Sequence, residues 1–183
     1  MKKYIFPSIK LTIILLVICS ILYPLLISGV AKLSPGEGNG ETISVKGRKV
    51  GYANIGQNFS KDKYFWGRPS AVNYNAAGSG ASNKGASNPD YLKTVQDRLD
   101  SFLVHNPGIT KNEVPAEMVT ASGSGLDPDI SPAAAYIQVK RVATTRKLDE
   151  TNIKKLIEQH VEHSVFGPSK INVLKLNIAL DEL

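Results

Sequence analysis

Few residues in this chain have the types and spacing that chemistry requires, and most of those lie between Val114 and Pro132. Ser122, Gly123, Ser124 and Gly125 precede the helix start Ser131-Pro132, so their backbone amides could meet an anion or a carbonyl dipole. The order of Ser and Gly fails the Gly-x-Ser-x-Gly spacing of a hydrolase elbow. Asp127 and Asp129, either side of Pro128, could hold a cation between two carboxylates. Acids in such a setting more often accept turn hydrogen bonds, and the turn is the favoured reading. From Asn75 to Asn88 every residue is Gly, Ala, Ser or Asn except Lys84. That loop is either a mobile surface segment or a nest of amides at Gly78-Ser79-Gly80 for an anion or a partner surface. It lacks a Gly-Lys-Ser/Thr ending and a third glycine at dinucleotide spacing, so it is weak as a nucleotide motif. His160 and His163 sit three apart, but the zinc-enzyme arrangement of acid and histidines is absent, and a partly solvated pair is expected. Cys19, the single cysteine, lies in an apolar run; this excludes an intrachain disulfide, a cysteine zinc site and thiol catalysis in the folded part.

A second group is aromatic. Phe59, Tyr64, Phe65 and Trp66 are followed by Gly67-Arg68-Pro69, whose proline forbids a continuing helix. The cluster is either a core anchor beneath a turn, the favoured reading, or a docking patch, because Trp, Tyr and Arg carry interface energy.

The elements that must position these residues fall into unequal parts. Between Lys10 and Lys32 lie 21 uncharged residues, enough for a helix to cross a hydrocarbon layer of ~30 Å, with a kink expected at Pro24. A cleaved signal peptide normally has a shorter apolar core. Lys2, Lys3 and Lys10 precede the span and favour an amino terminus inside, with everything after Ala31 outside. The net charge is +6, but from Lys32 onward 19 basic residues face 16 acidic ones, which argues against a nucleic-acid partner. The expected organisation is a cytoplasmic segment 1–10, a transmembrane helix 11–31 in the cytoplasmic membrane, and a Pro- and Gly-rich connection 32–41. Beyond it, residues 42–183 form one extracytoplasmic domain of mixed α/β composition, α+β in class. Within it, Ile43, Val45, Val50 and Tyr52 around Gly47 predict a hairpin. Asn88-Pro89 predicts a helix to Asn106, Ser131-Pro132 a helix to about Thr145, and Asp149 a helix to about Ser164 with Ile153, Leu156, Ile157, Val161 and Val165 inward. Leu174, Leu176, Ile178 and Leu180 alternate with Lys175, Asn177 and Ala179, which predicts a strand.

With these segments placed, the chain resembles the C-subunit family of the bacterial Kdp potassium-transporting P-type ATPases over nearly its whole length. The resemblance is carried by Tyr23-Pro24-Leu25-Leu26, Gly56-Gln57-Asn58-Phe59, Tyr64 to Ser70, Ser82-Asn83, Thr120 to Pro132, Gln138 with Arg141-Val142-Ala143, and Asn172 to Asn177. Asp129 departs from the family pattern, which usually has His there. The resemblance implies a non-catalytic accessory subunit assembled with a channel-like potassium-binding subunit, an ATP-hydrolysing P-type subunit and a very small membrane peptide. It implies no firmly bound cofactor; ATP and K+ act at the level of the complex. The family is described as raising the ATP affinity of the hydrolysing subunit, and a nucleotide-binding role would attach to Gln138. A domain facing outward cannot touch cytoplasmic ATP, so docking outside the membrane is weighed above direct contact. Gln57, Phe59, Tyr64, Phe65, Trp66, Arg68, Ser122, Gly123, Ser124, Gly125, Asp127 and Asp129 are the expected docking residues. The alternative is a free-standing membrane-anchored enzyme or ligand-binding domain using the Ser122 to Asp129 loop.

Overall fold

A computed structural model describes residues 2–183, and the chain divides between Glu41 and Thr42 into two units. Met1, the first residue of the segment expected inside, lies outside the described residues. In the first unit, α1 (Lys2–Val17) runs through a π-helical turn (Ile18–Leu22) into α2 (Tyr23–Ala31). Together they include a 29-residue helix, Lys3–Ala31, long and apolar enough to cross a bilayer. The expected irregularity at Pro24 takes the form of that π turn: Tyr23 donates its N–H to the Ile18 carbonyl, five residues back.

The second unit begins with an antiparallel hairpin, β1 (Thr42–Val45) and β2 (Arg48–Tyr52). Lys46 and Gly47 both have positive φ, 50° and 78°, as a two-residue turn matched to strand twist requires. After a long irregular stretch comes α3 (Pro89–His105), whose N-cap Asn88 accepts the Tyr91 N–H and whose inner face buries Leu99 and Phe102. Ser131 caps the next helix by accepting the Ala134 N–H. This helix stops early: α4 (Pro132–Tyr136) and α5 (Val139–Arg146) are separated at Ile137 and Gln138. Asp149 caps α6 (Glu150–Gln159), which buries Ile153, Leu156 and Ile157. It ends before the expected Ser164, with Val161 half-buried and Val165 exposed.

The predicted C-terminal strand is a helix, α7 (Val173–Leu180). Asn172 accepts the Lys175 N–H and starts it, and the residues with least exposure include Val173, Leu176, Asn177 and Leu180, an i, i+3, i+4, i+7 set. The alternation of Leu174, Leu176, Ile178 and Leu180 suggested a period of two, while the fourth inward position is filled by an amide that a hydrophobicity pattern does not register. Just before α7 the chain is extended: β4 (Ile171–Asn172) pairs antiparallel with β3 (Asp129–Ile130). That pairing sets the Asp127 to Ile130 turn beside the start of α7. The main core joins Phe65, Phe102, Met118, Ile130, Val142, Ile153, Ile157, Ile171, Leu176 and Leu180. The architecture is mixed α/β, as predicted.

Candidate functional site

The aromatic segment is held by side-chain amides. Tyr64 to Trp66 belongs to neither two-stranded sheet, yet its backbone groups are paired. Asn177 of α7 accepts the Phe65 N–H at 2.8 Å and donates to the Phe65 carbonyl at 2.9 Å. Gln138 does the same for the next residue, accepting the Trp66 N–H at 2.8 Å and donating to the Trp66 carbonyl at 3.2 Å. Successive residues of an extended chain point these groups to opposite sides, so two helices can grip them from two directions. The break between α4 and α5 falls at Gln138 itself, whose second amide hydrogen goes to the Ala134 carbonyl at 2.9 Å.

Arg141 completes this network. Its Nη2 donates to Gln138 Oε1 at 2.6 Å, Nε to Asn106 Oδ1 at 3.0 Å, and Nη1 to the carbonyls of Tyr64 and Asp62. The guanidinium lies 4.4 Å from the centre of the Trp66 ring, a cation–π contact. The hydrogen-bond acceptors around Arg141 are amide and carbonyl oxygens, and burial pulls its pKa down to about 10, with Asp62 acting in the opposite sense.

Beyond Trp66 the polar contacts become ionic. Arg68 Nη1 donates to Asp127 Oδ2 at 2.9 Å, and Asp127 Oδ1 accepts the Asp129 N–H at 3.0 Å, the turn bond expected of that acid. Asp129 Oδ2 accepts from Lys170 at 2.7 Å, and Lys170 and Lys175 both approach Glu162. The Asp129 hydrogen bond holds the Lys170 ammonium above the ordinary lysine pKa. Arg68 Nε and Asp129 Oδ1 are buried without a hydrogen-bond partner among the described residues. Close backbone approach fixes the loop: a Cβ on Gly56 would lie 2.4 Å from the Asp127 carbonyl oxygen, and Gly125, at φ +67°, leaves only 2.7 Å to Val72. The small-residue loop joins the same surface, because the Gly80 N–H and the Ser79 hydroxyl both donate to the Ser124 carbonyl, at 2.9 and 3.0 Å.

The expected docking residues therefore divide. Gly123 and Ser124 are exposed, and Arg68, Asp127 and Asp129 are half-buried around the loop. Ser122 and Gly125 are buried, and Phe65 has no exposed surface; as a core residue it offers nothing to a partner. Phe59 and Trp66 are partly buried against the core, Tyr64 donates to Asp181, and Gln57 donates to the Val50 carbonyl of β2. Gln138, the expected nucleotide contact, is fully buried with both amide atoms bonded, so in this structure it has no free atom for a ligand. Asn106, read in the sequence only as a helix stop, and Asn172 and Asn177, read only within the expected strand and the family resemblance, are buried and hydrogen-bonded here; for Asn177 the signal is an amide on an otherwise apolar helix face. His160 Nδ1 lies 2.8 Å from the Leu156 carbonyl and His163 Nδ1 lies 2.9 Å from Ser169 Oγ, and no metal-ligand cluster occurs among the described residues. A cleft of about 530 Å³ lies between α3 and the segment from Asn58 to Pro69, lined by Trp66, Arg98 and His105 among others and by no residue from Ser122 to Asp129.

A small domain whose buried polar network holds its own fold, in a chain that also carries one candidate membrane helix among the described residues, suits an accessory membrane subunit. Residues 5–182 match the family described as K+-transporting ATPase, c chain, and the chain belongs to this KdpC family. It is similar to potassium-transporting ATPase KdpC subunits of Flavobacterium johnsoniae (57% identical over 181 residues, 99% of each chain) and Flavobacterium psychrophilum (58% over 182 residues, 99% of each). A KdpC subunit of Bacteroides thetaiotaomicron is 51% identical over 186 residues, covering 98% of each chain.

Proposed function

We propose that the chain is the non-catalytic accessory subunit of an ATP-driven potassium uptake complex, anchored by its N-terminal helix with residues 42–183 outside the cytoplasmic membrane. Its partners are a potassium-binding channel-like subunit, an ATP-hydrolysing P-type subunit and a small membrane peptide. The observation that carries the docking role is the joining of three irregular segments: Arg68 to Asp127, and Ser79 and Gly80 to Ser124. They form a backbone-rich face beside a rigid core, and it supports a surface that holds the outer mouth of the potassium-conducting partner in shape. ATP and K+ act on the complex; any effect of this chain on ATP affinity is transmitted through its partners, since Gln138 is enclosed.

The test is Arg68→Ala in the complete complex. Co-purified partner or potassium uptake should fall, while the melt of the isolated full chain in detergent shifts little. A chain that unfolds, or a complex that assembles and transports unchanged, rejects the docking role. An anchored ligand-binding domain working alone instead predicts that mild extraction yields a single 19.8 kDa species.

A further inference from the structure

The π turn leaves an unusual deficit in the middle of the candidate span. Tyr23 gives its N–H to Ile18, and Pro24 has none to give. From Leu26 onward the α-helical register directs each N–H four residues back, Leu26 to Leu22 first. Leu25 can reach Ile21 or Ser20, but Cys19 lies six residues back. The carbonyls of Cys19, Ser20 and Ile21 thus share one backbone donor, and that of Cys19 has none. Residues 19–21 sit close to the midpoint of the 21 uncharged residues between Lys10 and Lys32, and none of Ile18–Leu22 is buried within the chain. A helical serine hydroxyl reaches back one turn, as Ser8 does to the Tyr4 carbonyl at 2.8 Å, so Ser20 cannot close this gap. Pro7 also removes a donor, but near the end of the helix, where water is within reach.

We infer that this open turn is an interaction surface for a transmembrane helix of a partner subunit, which supplies a hydroxyl, amide or indole N–H donor at mid-bilayer depth. Lipid tails carry no donor, and backbone groups in hydrocarbon must be satisfied by protein. The inference rests on the reading of the chain as a subunit of an assembled transporter. Pro24 with the π turn then acts as a recognition element, because it exposes main-chain oxygens that a continuous helix would cover.

Cys19 is the chain's single cysteine, so cysteine carrying a 13C=18O carbonyl labels this one position. The labelled full chain, in liposomes alone and assembled with unlabelled partner subunits, is compared by infrared spectroscopy. The labelled band should move to lower wavenumber on assembly, and Pro24→Ala should abolish that move and lower co-purified partner roughly threefold to tenfold. A band that does not move, one already low in the lone chain, or full assembly of Pro24→Ala overturns the inference while leaving the subunit role intact. Failure of the unsubstituted chain to assemble overturns the subunit reading and the inference together.

Discussion

Phe65 and Trp66 stand three residues or fewer from Arg68, yet polar side chains do opposite things around the two. Around Phe65 and Trp66 they are neutral amides or a guanidinium, buried, with both Gln138 amide atoms and both Asn177 amide atoms bonded. Around Arg68 they are charged, half-buried and incompletely satisfied, with Arg68 Nε and Asp129 Oδ1 lacking a hydrogen-bond partner among the described residues. A buried polar group without its partner costs ~1 to 3 kcal/mol, whereas exposed ion pairs contribute ~1 kcal/mol or less. The first region therefore builds the domain, and the second is the one free to take part in recognition, although both belong to the same motif-rich stretch of sequence.

Replacing Gln138 by Leu tests this division most severely. Leu fills similar space but leaves the Trp66 N–H and carbonyl, and one Arg141 nitrogen, without partners. Stability should fall by ~3 to 5 kcal/mol, read from denaturant unfolding of the full chain in detergent. An unchanged unfolding midpoint with weakened ATP affinity in the complex would erase the distinction and return Gln138 to a nucleotide role.

Asn177→Leu comes next, at ~2 to 3 kcal/mol, because it strips one residue's backbone pair and leaves Arg141 untouched. Since Asn177 and Gln138 hold adjacent residues, the double substitution should cost less than the sum of the two, by ~1 kcal/mol. Strict additivity would mean that the two amides hold the segment independently.

The same contrast explains what the sequence made legible. Helix starts were readable because their signals are local: Asn88, Ser131 and Asp149 each cap within three residues. The hairpin was readable from Gly47 between apolar pairs. What escaped depends on distant partners. Gln138 breaks a helix to hold a residue 72 positions away, and Asn177 occupies an inward face for Phe65, 112 positions away. Nothing local announces the break at Gln138, and the Asn177 amide on an otherwise apolar face reads as an outward residue, so the break was missed and α7 was taken for a strand. At the candidate site, Arg68 joins Asp127, and Ser79 and Gly80 join Ser124, across three segments that share a lack of periodicity and so gave no pattern from which to place them. The assignment of Phe65 to the face failed, because alternate residues of an extended segment point opposite ways.

Asp127→Asn should have a smaller effect on folding, ~1 kcal/mol or less, because the pair with Arg68 is partly solvated and the amide oxygen can still accept the Asp129 N–H. Its effect on partner co-purification should match that of Arg68→Ala. If Asp127→Asn leaves assembly intact while Arg68→Ala abolishes it, Arg68 meets the partner directly and its intrachain pair is incidental.

The smallest effect belongs to Lys170, and its sign depends on pH. Its pKa is raised in the folded chain, chiefly by the hydrogen bond with Asp129, so the fold binds this proton more tightly than the unfolded chain does. The resulting stabilisation is fully present below the ordinary value of 10.5 and fades as pH climbs through the folded value. Half-exposure limits it to less than about 1 kcal/mol. Arg141 acts the other way in the alkaline range: its folded pKa of about 10 lies below the ordinary arginine value, so raising pH above 10 relieves the cost of burying its charge. The stability of the unsubstituted chain alone mixes these slopes. Subtracting that of Lys170→Met cancels the Arg141 contribution, because both chains carry it, and the difference should be constant from neutral pH to about 10 and decline above 10.5. A difference that instead grows with pH would place Lys170 in a site that disfavours its charge, and the ionic chain from Arg68 to Lys170 would lose its last link.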